Sequence, residues 1–65
     1  MEPIEVIWIN DDTKEAIVKH DTTYLFQDGT MSIYDMGKSL LDVKKVLEQI
    51  GRDDIVEELT EHGIL

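Results

Sequence analysis

Apolar and polar positions change period partway along the chain. Up to about residue 36 they come in short β-branched and aromatic runs separated by turn formers, and after Gly37 they recur every three or four residues. The first pattern suits strands and the second suits one face of a helix. Ile-Glu-Val-Ile-Trp-Ile, residues 4 to 9, reads as a strand, with Pro3 just ahead of it where a strand tolerates proline. Asn10-Asp11-Asp12-Thr13-Lys14 are turn formers, and Ala16-Ile17-Val18-Lys19-His20 reads as the returning strand. A turn centred on Asp12 and Thr13 pairs Trp8 with Ile17, Ile7 with Val18 and Glu5 with His20.

Asp28-Gly29 marks a second hairpin, because this dipeptide suits the positive φ angles of a type I′ turn. A two-residue turn there pairs Gln27 with Thr30, Phe26 with Met31, Leu25 with Ser32 and Tyr24 with Ile33. Tyr24, Phe26, Met31 and Ile33 then share an apolar face.

Ser39 and Asp42 have capping-box spacing, so a helix is expected from Leu40. Leu40, Val43, Leu47 and Ile50 form its apolar stripe, and Gly51 takes the left-handed conformation that ends it. Asp53 is read as the cap of a shorter helix from Asp54 to His62, closed by Gly63, with Ile64 folding back on Leu59 in a Schellman motif. The expected architecture is α+β: an antiparallel β-meander of two hairpins and about four strands over residues 4–36, then two helices over 39–65 packed on one face. Residues 1–65 read as one small domain.

In this reading Ile4, Val6 and Trp8 point one way from the first hairpin, while Ile7, Ile9 and Val18 point the other. Two short helices cover one side of a sheet, so apolar surface is left for a second copy or another partner. Val46-Leu47-Glu48-Gln49-Ile50-Gly51, followed by Ile55 and Leu59, resembles the first two helices of a SAM domain. The resemblance covers about 20 residues without that family's later helices, and strands that it does not have come before. It implies no function here.

Charge changes the picture more than size does. Fifteen acidic residues against six basic give a net charge of −9, which disfavours direct binding to nucleic acid, since phosphates are neutralised by Lys and Arg. A hydrophobic fraction of 42% argues for a folded acidic protein rather than a disordered tail. With no cysteine, disulfides and thiolate metal sites are excluded. The acidic Met-Glu-Pro-Ile-Glu start lacks the basic flank of a signal peptide, and no apolar run nears the roughly 20 residues that span a bilayer. The expected location is cytoplasmic, with no membrane partner.

Candidate chemistry is thin. Ser32 and Ser39 are the serines, Ser39 reads as a helix cap, and no nucleophile motif lies near His20 or His62. His20 has Asp21 beside it and Glu5 expected across the strand, and His62 sits at the negative end of the last helix. The Asn10-Asp11-Asp12 turn with Glu15 offers hard oxygens but lacks the spacing and central glycine of an EF-hand loop. No catalytic residue, metal site or cofactor is assigned. Phe26 and Tyr24 are expected in the core, while Trp8 and Tyr34 are candidate anchors on an open face.

The last helix stands apart. Asp54, Glu57, Glu58 and Glu61 follow i, i+3, i+4, i+7 spacing on one face, with Ile55, Val56 and Leu59 turned inward. Any amphipathic helix needs a polar face, but residues 53 to 61 hold five acids and no base. Like charges at that spacing cost about 0.2 to 0.5 kcal/mol per pair. With Asp53 and the hairpin-tip acids Asp11 and Asp12, the stripe has the character of a DNA mimic aimed at a basic groove. The expected function is a non-catalytic acidic regulator or inhibitor that docks on a larger, basic protein, of the kind phages and mobile elements make against host enzymes. The competing reading is a homodimeric or otherwise self-assembling module that uses the apolar first hairpin.

Overall fold

The computed structural model describes residues 4–65, so Pro3, read as the lead-in to the first strand, lies outside them. Four strands, β1 (Ile4–Asn10), β2 (Glu15–His20), β3 (Thr23–Gln27) and β4 (Ile33–Gly37), are followed by helices α1 (Leu40–Gln49) and α2 (Asp53–Glu61). The strands pair antiparallel in chain order, so the sheet is a simple meander and the fold is α+β.

The first hairpin keeps the expected register only at its upper end. Trp8 pairs with Ile17, Ile9 with Ala16 and Asn10 with Glu15. Below them a bulge at Ile7 inserts one residue, so Val18 pairs with Val6 rather than Ile7, and Glu5 pairs with Lys19 rather than His20. The bulge resolves a conflict in the pattern: with Trp8 facing inward opposite Ile17, it turns Val6 and Ile4 to the outer face that Ile9 already occupies.

The second hairpin departs further. Phe26 pairs with Tyr34, not Met31, and Gln27 pairs with Ile33, so a five-residue loop replaces the two-residue turn. The Asp28 carboxylate explains this, since its Oδ1 accepts from the Thr30 N–H at 2.9 Å, the Thr30 hydroxyl at 2.6 Å and the Ser32 N–H at 3.2 Å. That Asx-centred loop satisfies more donors than a tight turn would. The left-handed residue in it is Met31, at φ 71°, and not Gly29. Gly29 serves close approach instead: a Cβ there would stand 2.6 Å from the Thr13 carbonyl oxygen of the first hairpin tip. Met31 and Ile33 are consequently exposed, and Met36 takes their place in the core.

Local chemistry frames the helices as expected, with one exception. The Ser39 hydroxyl accepts from the Asp42 N–H at 3.2 Å, and the Asp42 carboxylate reaches back to the Lys38 N–H at 3.2 Å. Gly51 (φ 79°) and Gly63 (φ 78°) close the two helices. At α2 the Ile64 N–H donates to the Leu59 carbonyl at 2.9 Å and Gly63 N–H to Thr60 at 3.1 Å, the two bonds of a Schellman motif. The exception is Asp53, which does not cap α2. Arg52 holds the cap position without a side-chain capping bond, and Asp53 is the first helical residue, where with Asp54 it complements the helix dipole.

One cluster forms the core: Trp8, Ile17, Tyr24, Phe26 and Met36 from the inner sheet face, with Val43, Leu47, Ile55 and Leu59 from the helices. Ile50, expected to complete the stripe of α1, is 39% exposed. Both helices therefore cover the same side of the sheet. The opposite side carries three cross-strand rows, Ile9–Ala16–Gln27–Ile33, Val6–Val18–Leu25–Asp35 and Ile4–His20–Thr23. Ile4, Val6, Ile9 and Ile33 on it are each 58–63% exposed.

Candidate partner-binding site

Burial of Leu59 and Ile55 fixes the rotation of α2, and the polar side of the helix follows from it. Asp53, Asp54, Glu57, Glu58 and Glu61 are all exposed. Two of them have a basic side chain as a neighbour. The Arg52 guanidinium lies 3.2 Å and 3.3 Å from the two carboxylate oxygens of Asp54, and Glu58 Oε1 lies 3.9 Å from His62 Nε2. Asp53, Glu57 and Glu61 carry no ion pair among the described residues.

Arg52 is the residue that the sequence reading missed. Its guanidinium forms a two-pronged pair with Glu15, Nη2 to Oε1 at 3.0 Å and Nη1 to Oε2. Glu15 is only 5% exposed. Arg52 lowers the carboxyl pKa of both Glu15 and Asp54 below the ordinary values of 4.5 and 3.8, and it is itself raised by the same two carboxylates. Its charge is thus spent inside the fold. No sequence spacing links residues 15 and 52, although a lone Arg between two helices beside an acidic run was a signal.

Glu15 is also withdrawn from the hairpin tip, where the sequence grouped it with Asn10, Asp11 and Asp12 as a set of hard oxygens. At the tip the Asn10 side-chain oxygen accepts from the backbone N–H groups of Asp12 at 3.0 Å and Thr13 at 3.3 Å. Asp11 and Asp12 are left exposed. The Glu15–Arg52 pair brings the start of α2 to this end of the sheet, so Asp53 and Asp54 share an end with Asp11 and Asp12. Among the described residues no group of three His, Cys, Asp or Glu is placed to hold a metal ion.

The two aromatic candidates part company. Trp8 is 7% exposed and belongs to the core, which removes it as an open-face anchor. Its pairing with Ile17 is the reason, because that row continues to Phe26 on the helix-covered side of the sheet. Tyr34 lies at the far end of the same cross-strand row, Trp8–Ile17–Phe26–Tyr34. It is 41% exposed and stacks on Phe26 with ring centroids 6.1 Å apart.

His20 pairs with Ile4 and Thr23 across the sheet rather than with Glu5, which ends the expected Glu5–His20 contact. Lys19, opposite Glu5, extends over the Tyr24 ring at 5.7 Å. Two surface depressions flank β1: one of about 270 Å³ lined by Ile4, Glu5, Lys19 and Asp21, and one of about 440 Å³ between β1 and the helix ends, lined in part by Tyr24, Leu40 and Ile64. No helix among the described residues is long and apolar enough to cross a membrane. No family model, curated protein or solved structure matches the chain.

Proposed function

We propose that this chain is a non-catalytic acidic binding protein, a regulator or inhibitor that docks on a larger, basic protein. The observation that carries the reading is the acidic outer side of α2, where Asp53, Glu57, Glu58 and Glu61 stand exposed while Arg52, just ahead of the helix, is committed to Glu15 and Asp54. Carboxylates three and four residues apart on a helix lie roughly 5 to 6 Å from each other, a spacing near that of phosphates along a nucleic-acid strand. A groove built to hold phosphates, as in a nucleic-acid-handling protein, is the chemistry such a stripe would meet. The tip acids Asp11 and Asp12 extend it at the same end of the molecule. Charge of this kind steers encounter and raises the association rate, and its contribution falls with salt.

The test compares the wild-type chain with an Asp53→Lys/Glu57→Lys/Glu61→Lys variant, which spares Asp54 because Arg52 holds it. Both are immobilised and exposed to nuclease-treated bacterial lysate, then eluted stepwise with salt. A basic protein released from the wild type at moderate salt and absent from the variant supports the reading, given an unchanged far-ultraviolet circular dichroism spectrum. Equal capture by both chains overturns it.

A further inference from the structure

We propose that the outer face of the sheet binds a second copy of this chain, face to face, with the two-fold axis lying in the interface and running across the strands. Four large aliphatic residues on that face, Ile4, Val6, Ile9 and Ile33, are more than half exposed, and Val18 and Leu25 lie between them. Contiguous apolar surface of this kind marks an interaction site.

The distribution of charge selects the occupant. The chain carries a net charge of −9, yet among the described residues Asp35 and His20 are the titratable positions in the rows of this face. The acids of α2 lie on the other side of the molecule. In a face-to-face pair the two acidic helices are separated by roughly 30 Å, taking about 10 Å per packed layer, which is several times the Debye length of about 8 Å at physiological salt. An equally acidic copy can therefore approach here, although it could not approach α2.

The ends of the sheet fix the orientation. One end holds Asp11, Asp12 and Asp28 with Lys14, and the other holds His20, Asp21 and Lys38. An axis running across the strands sets each end against its opposite, so that Lys38 comes toward Asp28 of the second copy and Lys14 toward Asp21 of the second copy. An axis along the strands would set the acidic ends together.

Area sets the strength. Four strands about 4.8 Å apart and about six residues long at 3.3 Å each present a face of roughly 400 Å². That is half of the roughly 800 Å² per partner in a standard interface and falls in the class of weak, reversible contacts. The dimer is accordingly one that dissociates on dilution.

Sedimentation equilibrium of the full chain tests this. The weight-average mass is expected to rise from the 7.5 kDa of one chain toward twice that value over roughly 10 μM to 1 mM. Val6→Glu and, independently, Ile33→Lys, both at exposed positions, should remain monomeric throughout with unchanged circular dichroism, and Lys38→Glu should weaken association about two- to fivefold. A wild-type chain that is monomeric at 1 mM overturns the proposal. So does a rise in mass that neither Val6→Glu nor Ile33→Lys diminishes, which would place the contact at a sheet edge. The lysate experiment with the α2 variant reads the other surface, so each idea can fail without the other.

Discussion

Arg52, in the turn between α1 and α2, closes a two-pronged ion pair on Glu15, 37 residues earlier at the start of β2. The pair ties the helical layer to the sheet at the end where the hairpin tips lie. Removing one partner strands the other. Arg52→Ala is expected to cost about 2 to 4 kcal/mol, toward the lower side of the range for buried pairs because the Arg52 side chain is 32% exposed. Replacing both residues with leucine should recover much of that loss. Urea denaturation of the two variants checks the sign and size, and an Arg52→Ala chain as stable as the wild type would show that the pair holds nothing together.

Acid should weaken the fold through the same pair. Glu15 and Asp54 have carboxyl pKa values depressed by Arg52, so the stability they contribute is present above their unfolded values of 4.5 and 3.8 and is lost as pH falls through the folded values. Protonation also relieves self-repulsion in a chain of net charge −9, which acts in the opposite direction. Comparison with Glu15→Gln separates the two effects. The urea midpoint of the wild type should fall more steeply below about pH 5 than that of the variant, and superimposable profiles would refute the assignment.

Gly37 and Gly51 both have positive φ, at 95° and 79°, but their surroundings differ. A Cβ on Gly37 would stand 2.5 Å from the Asp42 Cβ, whereas one on Gly51 would meet nothing within 4 Å. Gly51→Ala should therefore cost about 1 kcal/mol for the left-handed conformation alone. Gly37→Ala should cost more, because it also displaces Asp42 from the start of α1. Thermal melts of the two variants should rank in that order, and the reverse ranking would contradict the geometry.

Trp8 offers a direct optical check, being the single tryptophan of the chain. With 7% exposure it should emit at short wavelength, resist quenching by iodide and red-shift on unfolding. Trp8→Glu would bury a charge against Ile17 and the helices, and the expected product is an unfolded chain rather than a folded monomer. A folded Trp8→Glu variant would return this residue to the list of surface anchors.

The features legible in the sequence were those settled within a few residues. Ser39, Gly51 and Gly63 marked helix ends because capping is decided by the local backbone, and Trp8 met Ile17 because the first turn lies only a few residues away. Asp28-Gly29 signalled a turn correctly but not its length. The dipeptide says nothing of Thr30 and Ser32, whose donors converge on Asp28, or of Thr13, against which Gly29 packs. The bulge at Ile7 was hidden for a related reason: an inserted residue leaves a run of β-branched side chains looking continuous. At the candidate site the exposure of Asp54, Glu57, Glu58 and Glu61 followed from helical spacing. The loss of Arg52 to Glu15, and of Trp8 to the core, depended on contacts between distant parts of the chain.

The chain-order meander has a kinetic consequence. Each strand hydrogen-bonds to its sequence neighbour, so the loops that must close are short and their entropic cost is small. The sheet is complete once Gly37 has been laid down, before either helix has its full length. If the sheet forms first and the helices then fold down on it, the pair between Glu15 and Arg52 is a late contact. Folding should be fast for a protein that contains a four-stranded sheet, and a substitution at Arg52 should show its effect mainly in the rate of unfolding.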